Sequence, residues 1–270
     1  DAHGVTLMCA APAVIAAALD AAQTWDGPIP GRDRVRIVAA GAPPPTRTIE
    51  RVLEELGWEF IQIYGLTETS PLVTINRQRA EWDDLPAHDR ARNLGRAGAP
   101  ALGVRIAVDT DGEVLTQSNH NLDAYWEQPD ATAEVQQGNW FHTGDGGLID
   151  ADGYLVISDR KKDVIISGGE NVSSVEVEDC LYQHPGVAEV AVIGVPDARW
   201  GETVKALVVR RAGQETTEGD LIDFCRGRMA HFKCPTSVEF RETLPRTATG
   251  KLQKFKLRAP YWEGRERRVN

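Results

Sequence analysis

Apolar positions in this chain switch period several times, and each switch marks a new element. Residues 5–22 are rich in Ala and Leu and predict a short strand followed by a helix. The run VRIVAAG at 35–41 is apolar nearly throughout, as in a buried strand, and it ends in a Gly-Ala-Pro-Pro-Pro turn. Ile49, Val52, Leu53 and Leu56 then recur at i, i+3, i+4 and i+7, which is one face of a helix that Gly57 ends. WEFIQIYG at 58–65 is strand-like again. Residues 35–65 thus predict a βαβ unit whose strands stop at Gly41 and Gly65, and ligands of open α/β sheets bind at such strand ends.

Residues 77–93 are polar and charged and read as a surface excursion. From 95 to 158 the texture becomes one of short strands. GVRIAV turns through residues 109–112 into EVLTQ, and GGLID turns through Asp152-Gly153 into YLVIS, a hairpin by its turn chemistry. The charged run DRKKD at 159–163 fits a solvated turn and also a domain boundary. The remaining piece of the chain has the pattern of a small α+β module. Ser173 with Glu176 forms a capping box for a helix through Tyr182, and VAEVAVIGV and VKALVVRR are strands. Residues 217–230 predict a helix with Leu221, Ile222, Phe224, Cys225 and Met229 mostly on one face. There is no internal repeat.

A length of 270 residues suits one or two domains, and a hydrophobic content of 41% is ordinary for a soluble globular protein. The net charge of −10 argues against bulk nucleic-acid binding, which needs a basic surface. No apolar run approaches the ~18 residues of a membrane span. Cys9, Cys180, Cys225 and Cys234 form no C-x-x-C pair, and the six histidines show no metal-ligand spacing. The thiols therefore read as small core residues of a protein in a reducing, cytoplasmic compartment. The first 23 residues lack the basic region of a signal peptide, and the chain has no initiator Met, so a fragment is expected.

Four stretches carry candidate chemistry. YGLTETS at 64–70 sets an aromatic ring, hydroxyls and a carboxylate in a turn after a strand; these can stack on a base, donate to phosphate and hold Mg2+. The same composition also suits an ordinary polar turn. HTGDGG at 142–147 offers Asp145 to ribose hydroxyls, or merely caps a turn. Gly168-Gly169 lets a backbone approach a ligand closely, or makes a turn, and Arg160 can serve a ribose or phosphate, or only the surface. PRTATGKLQK at 245–254 looks like a phosphate loop but fails that motif: Pro245 stands where Gly is needed, and Leu252 where Ser or Thr is needed. No strand-then-helix context surrounds it either.

In series, GAP, YGLTETS, WFHTGD, GYLVISDRKKDVIISGGEN, VEVEDCLYQHPGVAEVAVIGVPDARWGE and LPRTATGKLQK match in type, order and approximate spacing a known family. The chain resembles the C-terminal half of the AMP-forming acyl-CoA synthetases, in the adenylate-forming superfamily. The resemblance covers essentially the whole chain. It implies an α/β (mixed α+β) fold. Residues 1–161 would be the end of the large AMP-binding domain, a βαβ unit plus a short antiparallel region, and 162–270 a small mobile α+β domain.

The reaction that the resemblance implies has two halves. A carboxylate attacks the α-phosphate of ATP to give acyl-AMP and pyrophosphate, and the thiol of coenzyme A then displaces AMP. Gly41, Ala42 and Pro43 would line the adenine pocket, with Tyr64 and Gly65 beside the base. Thr67 would contact the α-phosphate, Glu68 would help hold Mg2+, and Asp145, supported by Arg160, would take the ribose hydroxyls. Lys251 matches the catalytic lysine, an ammonium that stabilises charge at the α-phosphate, and Thr247, Thr249 and Gly250 would keep its loop adaptable. Lys162 matches the hinge about which the small domain turns between half-reactions, and Gly168, Gly169 and Glu170 would line the pantetheine tunnel.

Residues 245–270 carry eight basic and two acidic side chains, net +6, which suits ATP or CoA phosphates as well as a solvated tail. The Ser/Thr/Gly-rich loop that cradles the β- and γ-phosphates in the family does not occur here, so the expected partner is an N-terminal remainder of the same enzyme. The expected substrates are a short- or medium-chain or fatty carboxylic acid, ATP and CoA. Nucleic acid and a membrane span are not expected, and self-association as a homo-oligomer stays open. Alternatives are an adenylating enzyme that loads a carrier-protein pantetheine, and an inactive fragment that only binds nucleotide or a partner protein. QSNHN at 117–121 departs from the family pattern.

Overall fold

A computed structural model describes residues 3–247 and 251–264. The chain divides at Ile157/Ser158 into two compact units. The predicted mixture of helices and mixed sheets is the architecture found.

In the first unit, β1 (Leu7–Ala10) leads into α1 (Pro12–Gln23), whose Ile15 and Leu19 are fully buried. β2 (Arg36–Ala39) pairs in parallel with β1 on one side and with β3 (Glu59–Tyr64) on the other. Between them runs α2 (Thr46–Arg51), which continues over Val52–Leu56 as a π-helical turn before Gly57, at φ 63°, stops it. The expected helix is therefore present with a widened second half. Ile49, Val52 and Leu56 still reach the core with Ile37 and Phe60. β4 (Thr74–Arg77) pairs antiparallel with β3.

The polar excursion at 77–93 holds a surprise. It contains α3 (Ala87–Leu94), which buries Ala91 and Leu94 in the same core. Ala87, Ala91 and Leu94 keep helical spacing, but Ala is too weakly apolar to show among charged neighbours. β5 (Ala99–Pro100) closes this sheet in the order β1-β2-β3-β4-β5.

A second sheet takes β6 (Arg105–Val108), β7 (Glu113–Gln117), β8 (Gln136–Gln137), β9 (Trp140–Ile149) and β10 (Leu155–Arg160), with α4 (Pro129–Val135) before β8. Its order is β10-β9-β7-β6, with β8 on β9, so both predicted hairpins form. The unit boundary falls within β10.

The second unit opens with a 3₁₀ turn, Lys161–Asp163. β11 (Ile165–Ser167) and β12 (Glu170–Val172) make a hairpin, followed by α5 (Ser174–Tyr182). β13 (Val187–Asp197) and β14 (Gly201–Arg210) are the long antiparallel pair. α6 (Glu218–Arg226) and β15 (Ser237–Phe240) follow, and β15 pairs in parallel with β14. α7 (Lys254–Arg258) is the last described α-helix.

One face of this sheet is covered by Val177, Leu181, Leu221 and Cys225, and another cluster joins Ala191, Ile193 and Leu207 to Leu244 and Leu257. The capping box at α5 is half made. Ser173 accepts from the Glu176 amide at 3.3 Å, while the Glu176 carboxylate binds Lys233 at 2.7 Å instead. Thr217 and Asp220 form a complete box at α6, which ends at Arg226, short of the predicted 230. Three cysteines are core residues as expected, but Cys9 is exposed on β1.

Candidate functional site

Two sequence motifs stand side by side because β2 and β3 are parallel neighbours, with Ala39 opposite Gln62. Past the end of β2 come Gly41 (φ 94°), Ala42 and Pro43; at the end of β3 come Tyr64 and Gly65, and then a 3₁₀ turn, Thr67–Thr69. The shape of that turn comes from Thr69, whose buried hydroxyl accepts from the Leu66 amide at 2.9 Å and lies 3.0 Å from the Pro71 carbonyl. Thr67 is thereby left exposed and Glu68 half-buried.

Gly65 has a steric reason. A Cβ there would lie 1.5 Å from the Pro71 carbonyl oxygen, a backbone atom. Gly65→Ala is therefore expected to displace the 66–71 turn and to lower stability by ~1–3 kcal/mol, the usual cost of overpacking. Urea unfolding would show it, and an unchanged midpoint would mean that the turn yields freely.

The Tyr64 hydroxyl donates to Asp145 Oδ2 at 2.9 Å across 81 residues of chain. Asp145 is only 7% exposed, so this carboxylate has a fixed direction. It is set by a register shift between β7 and β9, at Glu113/Leu115. Glu113 Oε1 accepts from the Gly144 amide at 2.8 Å, its Oε2 lies 3.1 Å from His142 Nδ1, and the Thr143 hydroxyl donates to the Val114 carbonyl at 2.7 Å.

Glu113 thus orients the HTGD segment. Sequence reasoning passed over it because it looks like any strand-start glutamate. Asp109, Glu113 and His142 also bring one ligand atom each within 4.8 Å of one another, a grouping that the histidine spacing did not suggest. Asp109 accepts from the Asp111 and Glu113 amides, so the trio closes a turn and a bulge.

Glu68 is held from two sides. The Tyr125 hydroxyl donates to its Oε1 at 2.9 Å, and its carbonyl accepts from the Leu122 amide at 2.7 Å. Burial, and then the Glu68 carboxylate, push the Tyr125 phenol up from its ordinary value, so it stays a donor. QSNHN now has a role: Asn121 bonds the Thr116 carbonyl at 3.1 Å, and this bend delivers Leu122 and Tyr125 to Glu68. A half-buried, phenol-oriented carboxylate is the oxygen donor that Mg2+ takes, and a buried, directed Asp145 suits two ribose hydroxyls, so the residues present fit both groups.

The second unit carries the other candidates. Gly168 and Gly169, at φ 61° and 86°, are the two central residues of the β11–β12 hairpin, with Ser167 opposite Glu170. Two left-handed residues in a two-residue loop match the strand twist, which accounts for Gly-Gly locally. A Cβ on Gly168 would also lie 2.7 Å from Trp200 Cε3, and the Gly168 amide donates to the Trp200 carbonyl at 2.9 Å. Trp200 is in turn fixed by Asp197, whose Oδ1 accepts from the Arg199 and Trp200 amides at 2.8 Å. Gly168, Gly169 and Glu170 are all exposed.

Arg160 ends β10 and Lys162 lies exposed on the turn after it. Lys251 is exposed on the returning arm of a closed loop. An isolated bridge joins Arg246 to Leu252, the Thr247 amide donates to the Lys251 carbonyl at 2.8 Å, and the Lys251 amide donates to Thr247 Oγ1 at 3.0 Å. Thr249 and Gly250 lie outside the described residues.

Comparison with known proteins gives a consistent picture. A family model for AMP-binding enzymes matches residues 1–126, and one for the AMP-binding enzyme C-terminal domain matches residues 176–251. The chain is 43% identical to a 2-methylpropanoate–CoA ligase of Humulus lupulus, over 95% of this chain and 48% of that protein. It is 40% identical to a 4-hydroxybutyrate–CoA ligase of Metallosphaera sedula, over 94% of this chain and 48% of that one. The crystal structure of an anthranilate CoA ligase in complex with anthranoyl-AMP superimposes with a TM-score of 0.81 at 33% identity, covering 95% of this chain and 50% of that chain. The chain therefore spans about half the length of the curated relatives it matches. No described helix is long and apolar enough to cross a membrane.

Proposed function

This chain belongs to the AMP-binding enzyme family, and from that premise we propose that it supplies the base-, ribose- and lysine-bearing parts of a carboxylic acid–CoA ligase. The observation that carries the reading is the Tyr64–Asp145 hydrogen bond. It joins the YGLTETS motif, which follows the end of the parallel strand β3, to the HTGD motif of β9 in one polar cluster, and nucleotides bind at such strand ends in α/β sheets.

In this reading Asp145 accepts from the ribose hydroxyls while Tyr64 and the Gly41–Pro43 turn border the base. Thr67 donates to the α-phosphate. Mg2+, when bound, neutralises phosphate charge, and Glu68, oriented by Tyr125, would hold it. A carboxylate oxygen of the acid attacks the α-phosphorus, the bond to the bridging oxygen breaks, and pyrophosphate leaves with that oxygen. Lys251 meets the charge that develops there. The CoA thiolate then attacks the acyl carbon, and AMP leaves as its phosphate. Between the steps the small domain, residues 162–270, turns about Lys162, and the Gly168–Glu170 hairpin borders the pantetheine arm.

Support for CoA as the acceptor comes from relatives named as CoA ligases, and support for a short carboxylic acid from the two acids in their names. The decisive measurement uses the protein as its own gene encodes it. ATP–pyrophosphate exchange is followed with a panel of short and branched acids, then thioester formation with free CoA. Acid-dependent exchange together with acyl-CoA product is expected. Exchange without any acyl-CoA would move the acceptor to a carrier-protein pantetheine.

A further inference from the structure

Lys251 is one of four cations at 251–258, and two of the others, Lys254 and Arg258, point away from solvent. Lys254 and Arg258 stand one helical turn apart on α7, with side chains only 13% and 14% exposed. Lys254 Nζ lies 2.7 Å from Glu178 Oε1 and donates to the Ser174 hydroxyl, and both partners belong to α5. Glu178 Oε1 is itself fixed by the Val192 amide of β13 at 2.7 Å. Arg258 Nη1 donates to Asp163 Oδ1 at 2.9 Å. Burial alone would push the Lys254 ammonium down; Glu178 and Asp159 outweigh it and hold it above the ordinary lysine value.

The placement is informative because of what each partner adjoins. Asp163 directly follows Lys162, and Lys254 follows Lys251 by three residues. Leu257, between the two cations, packs in an apolar cluster that also takes Leu252 from the returning arm of the Lys251 loop. The loop, α5 and the turn at 161–163 are thus tied through α7 by two charged contacts and an apolar one.

We propose that Lys254 and Arg258 are positioning residues for acyl-adenylate formation, fixing the Lys251 loop to α5 and to the residue beside the pivot. The proposal rests on the ligase reading. Any turn at Lys162 reaches Asp163 first, and the Arg258 contact passes it straight to the arm that carries Lys251. Both side chains are turned to protein carboxylates, Lys254 to Glu178 and Arg258 to Asp163. Their effect is on where the Lys251 ammonium arrives, and a displacement of about 1 Å in such a group costs up to ~10²-fold in rate.

The test compares Arg258→Met, Lys254→Met and Lys254→Arg with the unaltered protein in each half-reaction. Arg258→Met is expected to slow acyl-adenylate formation at saturating ATP by about tenfold or more. KM for ATP and thioester formation from supplied acyl-adenylate should stay within about threefold. Lys254→Arg should keep more activity than Lys254→Met, and the swap of Arg258→Asp with Asp163→Arg should recover part of the Arg258→Asp loss. Equal losses in both half-reactions, or no recovery by the swap, would overturn the proposal.

A second readout does not depend on activity. Amide exchange at Lys251–Gln253, measured without substrates, should quicken in Arg258→Met. Unchanged exchange would sink the positioning role even if the protein is a ligase. An unaltered protein that forms no acyl-adenylate, with exchange that does quicken, would fail the ligase reading and keep the contact.

Discussion

Lys251→Ala is expected to slow acyl-adenylate formation by about 10²–10³-fold, the usual loss when one charge-stabilising donor is removed. Thioester formation from supplied acyl-adenylate should change by only a few-fold. The asymmetry follows from where charge moves. During adenylation a carboxylate brings negative charge to an α-phosphate that already carries some, and a positioned ammonium lowers that transition state more than the ground state. In the second step the charge collects on the sulfur, the acyl oxygen and the departing AMP, and the reading gives Lys251 no part there.

The structure adds a reason to trust the contrast. The Lys251 backbone is bonded to Thr247 through both its amide and its carbonyl, and these bonds do not use the side chain that Ala removes. Single-turnover measurements with ATP and acid, and separately with acyl-adenylate and CoA, check it. Equal losses in the two would remove Lys251 from the chemistry.

Much of this arrangement was legible in the sequence, for identifiable reasons. Strands with continuous apolar runs, such as those around Ile37 and Phe60, and turns with obligatory residues, such as Gly57 and Gly168-Gly169, announce themselves locally. Tyr64, Thr67, Glu68, Asp145 and Lys251 stood out as motif residues. What stayed hidden is relational. Tyr125 and Glu113 orient Glu68 and the HTGD segment through contacts that span 57 and 31 residues, and no local pattern encodes such a partner.

α3 hid for a different reason, since it buries only Ala91 and Leu94. The capping box at Ser173 was misread because Lys233, far along the chain, competes for the Glu176 carboxylate. Buried charge at Lys254 was equally invisible. In a sequence it is one more basic residue in a tail of net charge +6, and only the fold turns it inward.

The second large effect is expected from Lys162→Pro. Lys161–Asp163 is a 3₁₀ turn, so Lys161 has helix-like backbone angles. A proline at 162 clashes with that conformation in the residue before it and drives Lys161 toward extended angles. Bonds that cross Lys162 include one from the Val164 amide to the Arg160 carbonyl at 3.1 Å, those that Asp159, 4% exposed, accepts from the Ser174 hydroxyl at 2.7 Å and from the Ser174 amide, and one from the Ser173 hydroxyl to the Ser158 carbonyl at 3.4 Å. These are the contacts that a turn about Lys162 must exchange for others, whereas Arg258–Asp163 lies wholly beyond the pivot and can persist.

In the ligase reading, a hinge that visits both poses during turnover holds them within a few kcal/mol of each other. A misplaced proline costs ~3 kcal/mol. Since 1.4 kcal/mol is tenfold, the bias is about 10²-fold in population. One half-reaction should therefore survive within a few-fold while the other falls by about that factor. Adenylation is the one expected to survive, because it needs a single arrangement of the small domain, while turnover to thioester needs the change between two. Rapid-quench assays of the two steps decide it. If both steps run normally, or both fall together, the pivot lies elsewhere.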